Sequence, residues 1–144
     1  MDKYDSLKLE NQLCFPRYAA AKGIVKMYGP HLEKLDLTYT QYIAMMVLWE
    51  KKCINVKDLG AKLFLDSGTL TPVLKALEKK GYISRTRSSA DERVLLVTLT
   101  EVGEQLRDRA LEVPPAIGSC VDLEPDEAAE LYRLLYKILG GSNK

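Results

Sequence analysis

Residues 65–103, LDSGTLTPVLKALEKKGYISRTRSSADERVLLVTLTEVG, decide the fold. Leu70, Val73, Leu74 and Leu77 recur at the spacing of one face of a 3.6-residue helix, so the stretch predicts a helix that buries this stripe. Asp66, Ser67 and Thr69 offer side-chain oxygens to the free N–H groups of its first turn, and Gly81 can take the left-handed conformation that closes its last. Pro72 fits such a helix only in or just after the first turn, where few backbone N–H groups have partners to lose. Beyond the helix, residues 82–87 and 94–99 alternate and are rich in β-branched side chains. They flank the polar segment SSADER and predict a β-hairpin.

Upstream, Asn55 with Asp58 three residues later predicts another helix start, with Val56, Leu59 and Leu63 facing inward beside Gly60. A short turn at residues 65–67 would join the two helices. Helix, turn, helix and hairpin together make a winged helix-turn-helix over residues 51–100. The expected class is mainly α with a small β-hairpin wing.

Charge indicates what this unit touches. The whole chain is nearly neutral at +1, but residues 51–93 hold ten Lys or Arg against five Asp or Glu, whereas residues 94–144 hold five against nine. A positive stripe confined to one module suits a phosphate backbone, because neutralising phosphates releases condensed counterions.

At 144 residues and 47% hydrophobic content the chain is expected to form one core, hence a single domain over residues 1–144. No apolar run of membrane-spanning length, leader segment, repeat or low-complexity tract is found, and the expected compartment is the cytoplasm. Three separated cysteines, Cys14, Cys53 and Cys120, suit reduced thiols. With His31 they lack the short pairs of a zinc module, and one histidine without a CxxC pair is a poor basis for a thiol enzyme. The reading calls for no cofactor and no metal.

The flanks predict further helices. Residues 7–28 and 31–35 carry Leu9, Leu13, Ile24, Val25, Leu32 and Leu35, and residues 38–50 form an apolar helix from Thr38 with Gln41 at capping-box spacing. In DLEPDEAAELYRLLYKILGG, Pro125 marks a start, Gly140 an end, and Leu131, Leu134, Leu135 and Ile138 share a face. The terminal stretches 1–35 and 105–144 either close over the chain's own core or pair with a second copy, and periodicity leaves both open. A dimer would present two DNA-reading helices to a palindromic operator.

These residues resemble the MarR-type winged-helix repressors, in the branch of the organic hydroperoxide resistance regulators (OhrR). The similarity lies in NQLCF at 11–15, LTYTQY at 37–42, LFLDSGTLTPVLKALEKKGYI at 63–83, and DER with the following strand through LTEVG at 103. It implies a homodimer that represses its gene while an N-terminal cysteine is reduced and lets go when an organic hydroperoxide oxidises it. Cys14 matches that cysteine. Tyr28 and Tyr39 match tyrosines that hydrogen-bond the sulfur across the dimer, and Tyr18 a third aromatic. On the DNA side the resemblance implies Asp66, Ser67, Thr69, Thr71 and Lys75 on the recognition helix. In the wing it implies Arg85, Arg87, Asp91 and Arg93, with the aspartate bracing an arginine that enters the minor groove. Some members carry a second cysteine where Cys120 stands, and there the sulfenic acid condenses with it across the dimer. Cys53 matches no functional position. A repressor released by a small aromatic ligand is the alternative within the family.

The chemistry supports the sensor reading independently. A thiol attacks a peroxide as its thiolate, and tyrosine hydroxyls can stabilise that anion without adding charge. One departure from the family pattern bears on it: positions 16 and 17 are Pro16 and Arg17. Pro16 should either kink a helix or make it begin afresh nearby. In the second case Cys14 would lie at a helix N-terminus, where the dipole and Arg17 would favour its anion; in the first, the site would be distorted.

Overall fold

The computed structural model describes residues 2–140, and in it the decisive stripe lies where its periodicity puts it. Leu70, Leu74 and Leu77 are at most 1% exposed on the helix α4, Ser67–Lys79. They pack against α2 (Tyr39–Lys51), α3 (Val56–Leu63) and a small sheet, in a core whose fully buried members include Met45, Leu48, Leu59 and Val97. Pro72 is the sixth residue of α4, just past the first turn, where its missing N–H leaves only Gly68 O without an intrahelical donor. The last turn closes on Gly81 at φ +85°, with Gly81 N–H donating to Glu78 O at 3.0 Å and Tyr82 N–H to Leu77 O at 3.1 Å.

The helix-turn-helix joint sits one residue earlier than expected. Phe64, not a glycine, takes the left-handed conformation at φ 55°, Leu65 N–H returns to Gly60 O at 3.0 Å, and Ser67 already belongs to α4. The hairpin is β2 (Ile83–Arg87) and β3 (Leu95–Leu99), in antiparallel register with Arg85 opposite Val97. A third strand, β1 (Cys53–Asn55), pairs with β3 and gives the order β1-β3-β2. Three residues carry too little alternation to announce a strand.

At the N-terminus the helix α1 runs unbroken from Cys14 to Glu33, through Gly29 and Pro30, where two segments were expected. Pro30 falls in its last turn, where its missing N–H leaves Lys26 O without an intrahelical donor. The residues before Cys14 are not α-helical but form two 3-10 turns, Asp5–Leu7 and Leu9–Asn11. Side chains hold them: Asn11 Nδ2 donates to Asp5 O at 2.7 Å, and Gln12 Nε2 to Ser6 O and Lys8 O at 2.8 Å each.

After β3 come α5 (Glu101–Ala110), α6 (Val113–Gly118) and α7 (Pro125–Ile138). α5 is bolted to the core through Gly103, whose carbonyl accepts Trp49 Nε1–H at 2.8 Å. A Cβ there would stand 2.2 Å from Tyr82 O. α7 buries no residue, although Pro125 starts it as predicted, with a Glu124–Glu127 capping box beside it. Its Leu131, Leu134, Leu135 and Ile138 are 39–72% exposed. Among the described residues no helix is long and apolar enough to cross a membrane.

Candidate nucleic-acid interface and cysteine site

α4 begins at an N-cap, Asp66, whose carboxylate accepts Thr69 N–H at 2.7 Å. That bond, with help from the Thr69 hydroxyl, holds the Asp66 carboxyl below its ordinary range, as an anion at a helix N-terminus. Thr71 turns its hydroxyl back onto Ser67 O at 2.7 Å. Ser67, Thr69 and Lys75 are exposed on α4.

At the wing tip, Asp91 and Arg93 brace one another. Arg93 donates from its backbone N at 3.0 Å and Nε at 3.1 Å to one carboxylate oxygen, and from Nη2 at 3.2 Å to the other. These bonds depress the Asp91 carboxyl. The Arg93 side chain remains 90% exposed, so the brace aims the guanidinium outward without covering it. Arg87 is exposed at the end of β2.

Arg85, grouped with these by sequence, is placed differently. Its side chain is 19% exposed, its Nη2 lies 3.1 Å from Glu78 Oε1, and its backbone N–H donates to Glu78 Oε2 at 3.0 Å. It fastens the root of the wing to the end of α4. Sequence reasoning missed Glu78, a charged residue on the solvent face of a helix with no local signal of a partner seven residues on.

Cys14 is exposed and is the first residue of α1, with Pro16 third, inside the first turn. The proline therefore starts the helix without kinking it, and Arg17 follows within that turn. Tyr28 and Tyr39 meet edge to face at 4.9 Å between ring centroids. Tyr42, which sequence reasoning did not single out, lies 5.8 Å from Tyr28 and 6.4 Å from Trp49. Burial raises the pKa of all three tyrosines, which keeps their hydroxyls protonated donors. Tyr18 is 54% exposed with Lys22 over its ring.

Cys14 and Tyr28 share α1, fourteen residues apart. At a rise of ~1.5 Å per residue that separates them by about 21 Å, so they do not meet within one chain. Cys120 is exposed just beyond α6, its N–H bonded to Ile117 O at 2.9 Å. Cys53, exposed on β1, accepts a contact from Thr98 Oγ1 at 3.4 Å. Among the described residues no group of His, Cys, Asp and Glu is arranged to hold a metal ion.

Residues 26–110 match the family of transcriptional regulators SarA/Rot. The chain is 45% identical to an organic hydroperoxide resistance transcriptional regulator of Bacillus subtilis over 96% of its own length and 94% of the relative's. Among solved structures it resembles reduced AbfR bound to DNA, with a TM-score of 0.79 and 36% identity over 97% of this chain and 98% of that one. Against disulfide-formed AbfR, also 36% identical, the TM-score is 0.67 over 95% and 96% of the two chains; AbfR is a protein of Staphylococcus epidermidis. With its winged-helix fold, the chain belongs to the MarR-type transcriptional regulators, in the branch of the organic hydroperoxide resistance regulators.

Proposed function

We propose that this protein is a peroxide-sensing repressor that, as a homodimer, holds a palindromic operator while Cys14 is reduced and releases it when an organic hydroperoxide oxidises that thiol. The observation that carries the reading is the placement of Cys14, exposed at the start of α1 and far along the same helix from Tyr28. A second α1 running antiparallel would bring the partner's tyrosines to the sulfur, so the site is complete only in a dimer. Exposed Leu13 just before α1, Phe15 and Val25 on it, and the open apolar face of α7 supply surface for that pairing. In this reading residues 1–35 and 105–144 are the dimerisation helices and residues 51–100 the DNA-binding lobe.

The chemical step is a two-electron transfer. The Cys14 thiolate attacks one peroxide oxygen, an S–O bond forms as the O–O bond breaks, and the alkoxide leaves and takes a proton as an alcohol. Sulfur becomes a sulfenic acid, which condenses with the Cys120 thiol of the second subunit to give a disulfide and water. Tyrosine hydroxyls donating to the sulfur favour the thiolate that starts the sequence. On DNA, Ser67, Thr69, Thr71 and Lys75 face the major groove, the Asp91-braced Arg93 enters the minor groove, and Arg87 meets phosphate. Supporting this, the regulator of B. subtilis is named for organic hydroperoxide resistance, and AbfR has been seen reduced on DNA, overoxidised on DNA and as a disulfide.

A second reading, release by a small aromatic ligand, is favoured by one feature: a pocket of about 220 Å³ walled by Tyr42, Met46, Trp49, Leu111 and Pro114 with Arg107 at its edge. Fluorescence anisotropy of an operator duplex separates the two. Cumene hydroperoxide should release DNA and dithiothreitol restore binding, whereas release by salicylate, indifferent to reductant, would favour the ligand.

A further inference from the structure

One side chain ties the C-terminal end of α4 to the corner between α1 and α2. Lys80, the residue after the last of α4, directs Nζ to Gln41 Oε1 at 2.9 Å and to the backbone carbonyl of Asp36, and lies 3.7 Å from an Asp36 carboxylate oxygen. Its side chain is only 25% exposed, so these oxygens replace much of the water an ammonium would otherwise hold.

Both ends of this tie are built for it. Asp36 sits at φ 55°, where non-glycine residues are uncommon, and Leu37 N–H bonds back to Leu32 O at 3.1 Å to close α1 around it. Gln41 is the buried polar residue of the core region, at 8% exposure. Its Oε1 also accepts Thr38 N–H at 3.1 Å, while its own N–H donates to Thr38 Oγ1 at 3.3 Å. The amide oxygen that completes the capping box of α2 is thus the one that holds Lys80.

Tyr39 is the first residue of α2, inside that capping box, with its ring against Tyr28. A displacement of Tyr39 would carry the first turn of α2 with it, and so the oxygen that Lys80 grips. We propose that Lys80 is the coupling residue through which the state of the Cys14–tyrosine site sets the position of the recognition helix. This rests on the redox reading above. Lys80 touches neither sulfur nor DNA in this account, and acts by positioning α4.

The test compares the operator Kd of oxidised and reduced protein, with the rate of Cys14 oxidation followed separately by sulfenate trapping. In Lys80→Met, which keeps the apolar stem, Cys14 should oxidise at the wild-type rate while the oxidised-to-reduced Kd ratio falls about tenfold. Lys80→Arg should restore the ratio. Asp36→Gly, which suits the left-handed corner and removes the carboxylate, should lower it in the same direction by about threefold, and reports even if Lys80→Met folds poorly. Equal weakening of both states, leaving the ratios intact, would mean that Lys80 merely supports the fold or meets phosphate, and the coupling is overturned. If wild type binds operator but peroxide does not release it, the redox reading itself has failed and the coupling falls with it.

Discussion

Glu78 takes both the backbone N–H and the guanidinium of Arg85, whereas Arg93 is braced at the wing tip with most of its surface in water. The two arginines should therefore respond differently to salt. Arg93→Ala should weaken operator binding and reduce the slope of log K against log salt by about one, the loss of one cation in the minor groove. Arg85→Ala should weaken binding with the slope unchanged, because its charge is already satisfied within the protein; an equal slope change in both would show that Arg85 reaches DNA. Glu78 also gives a pH signature. Hydrogen bonds from Arg85 depress its carboxyl, so its contribution to stability is present above the unfolded-state value of about 4.3 and fades as pH falls through the lower folded value. Urea unfolding should find Glu78→Gln less stable than wild type at neutral pH, with the gap closing as the pH falls below the ordinary carboxylate range. A gap independent of pH would break the assignment. Alternation along β2 puts Arg85 and Arg87 on one face, but it says nothing of which helix lies across from that face, which is why sequence could not part them.

The helix ends were legible because their chemistry is local. Thr38 with Gln41 and Asn55 with Asp58 form the caps their spacing announced, Asp66 is the one of three candidates that caps α4, and Gly81 closes it. Gly81→Ala forces a Cβ into the left-handed region and should cost about 1–2 kcal/mol in thermal or chemical unfolding. A neutral result would mean that the turn after α4 rearranges freely. What sequence could not supply were elements held by distant partners. β1 exists because β3 offers it an edge, and Phe64 adopts its unfavourable conformation because the packing of α3 against α4 requires the chain to turn there. The start of α1 at Cys14 was one of two outcomes that Pro16 allowed, and the side-chain bonds of Asn11 and Gln12 to the preceding turns favour it.

In the whole molecule the division between α2–α4 and the terminal helices is the main feature. The former hold most of the core, joined by Leu106 and Ala110 of α5 and Val113 and Ile117 of α6, while α7 buries nothing and α1 buries only Leu32. Periodicity identified these apolar faces but could not say whose surface covers them, since a face covered by the same chain and one covered by a second copy have the same pattern. If a second copy does, the unfolding midpoint should rise with protein concentration, and Leu131→Glu combined with Leu135→Glu should yield monomers in sedimentation. A concentration-independent midpoint would remove the dimer. After one equivalent of hydroperoxide, non-reducing electrophoresis should show a covalent dimer in wild type and none in Cys120→Ser; a monomeric wild-type band would replace the two-cysteine step with a one-cysteine one.

The most direct test of the account is an operator titration of wild type and Cys14→Ser before and after stoichiometric cumene hydroperoxide. The account predicts equal binding by the two reduced proteins, loss of binding by oxidised wild type, and retention by Cys14→Ser. Peroxide releasing Cys14→Ser as readily as wild type would contradict it.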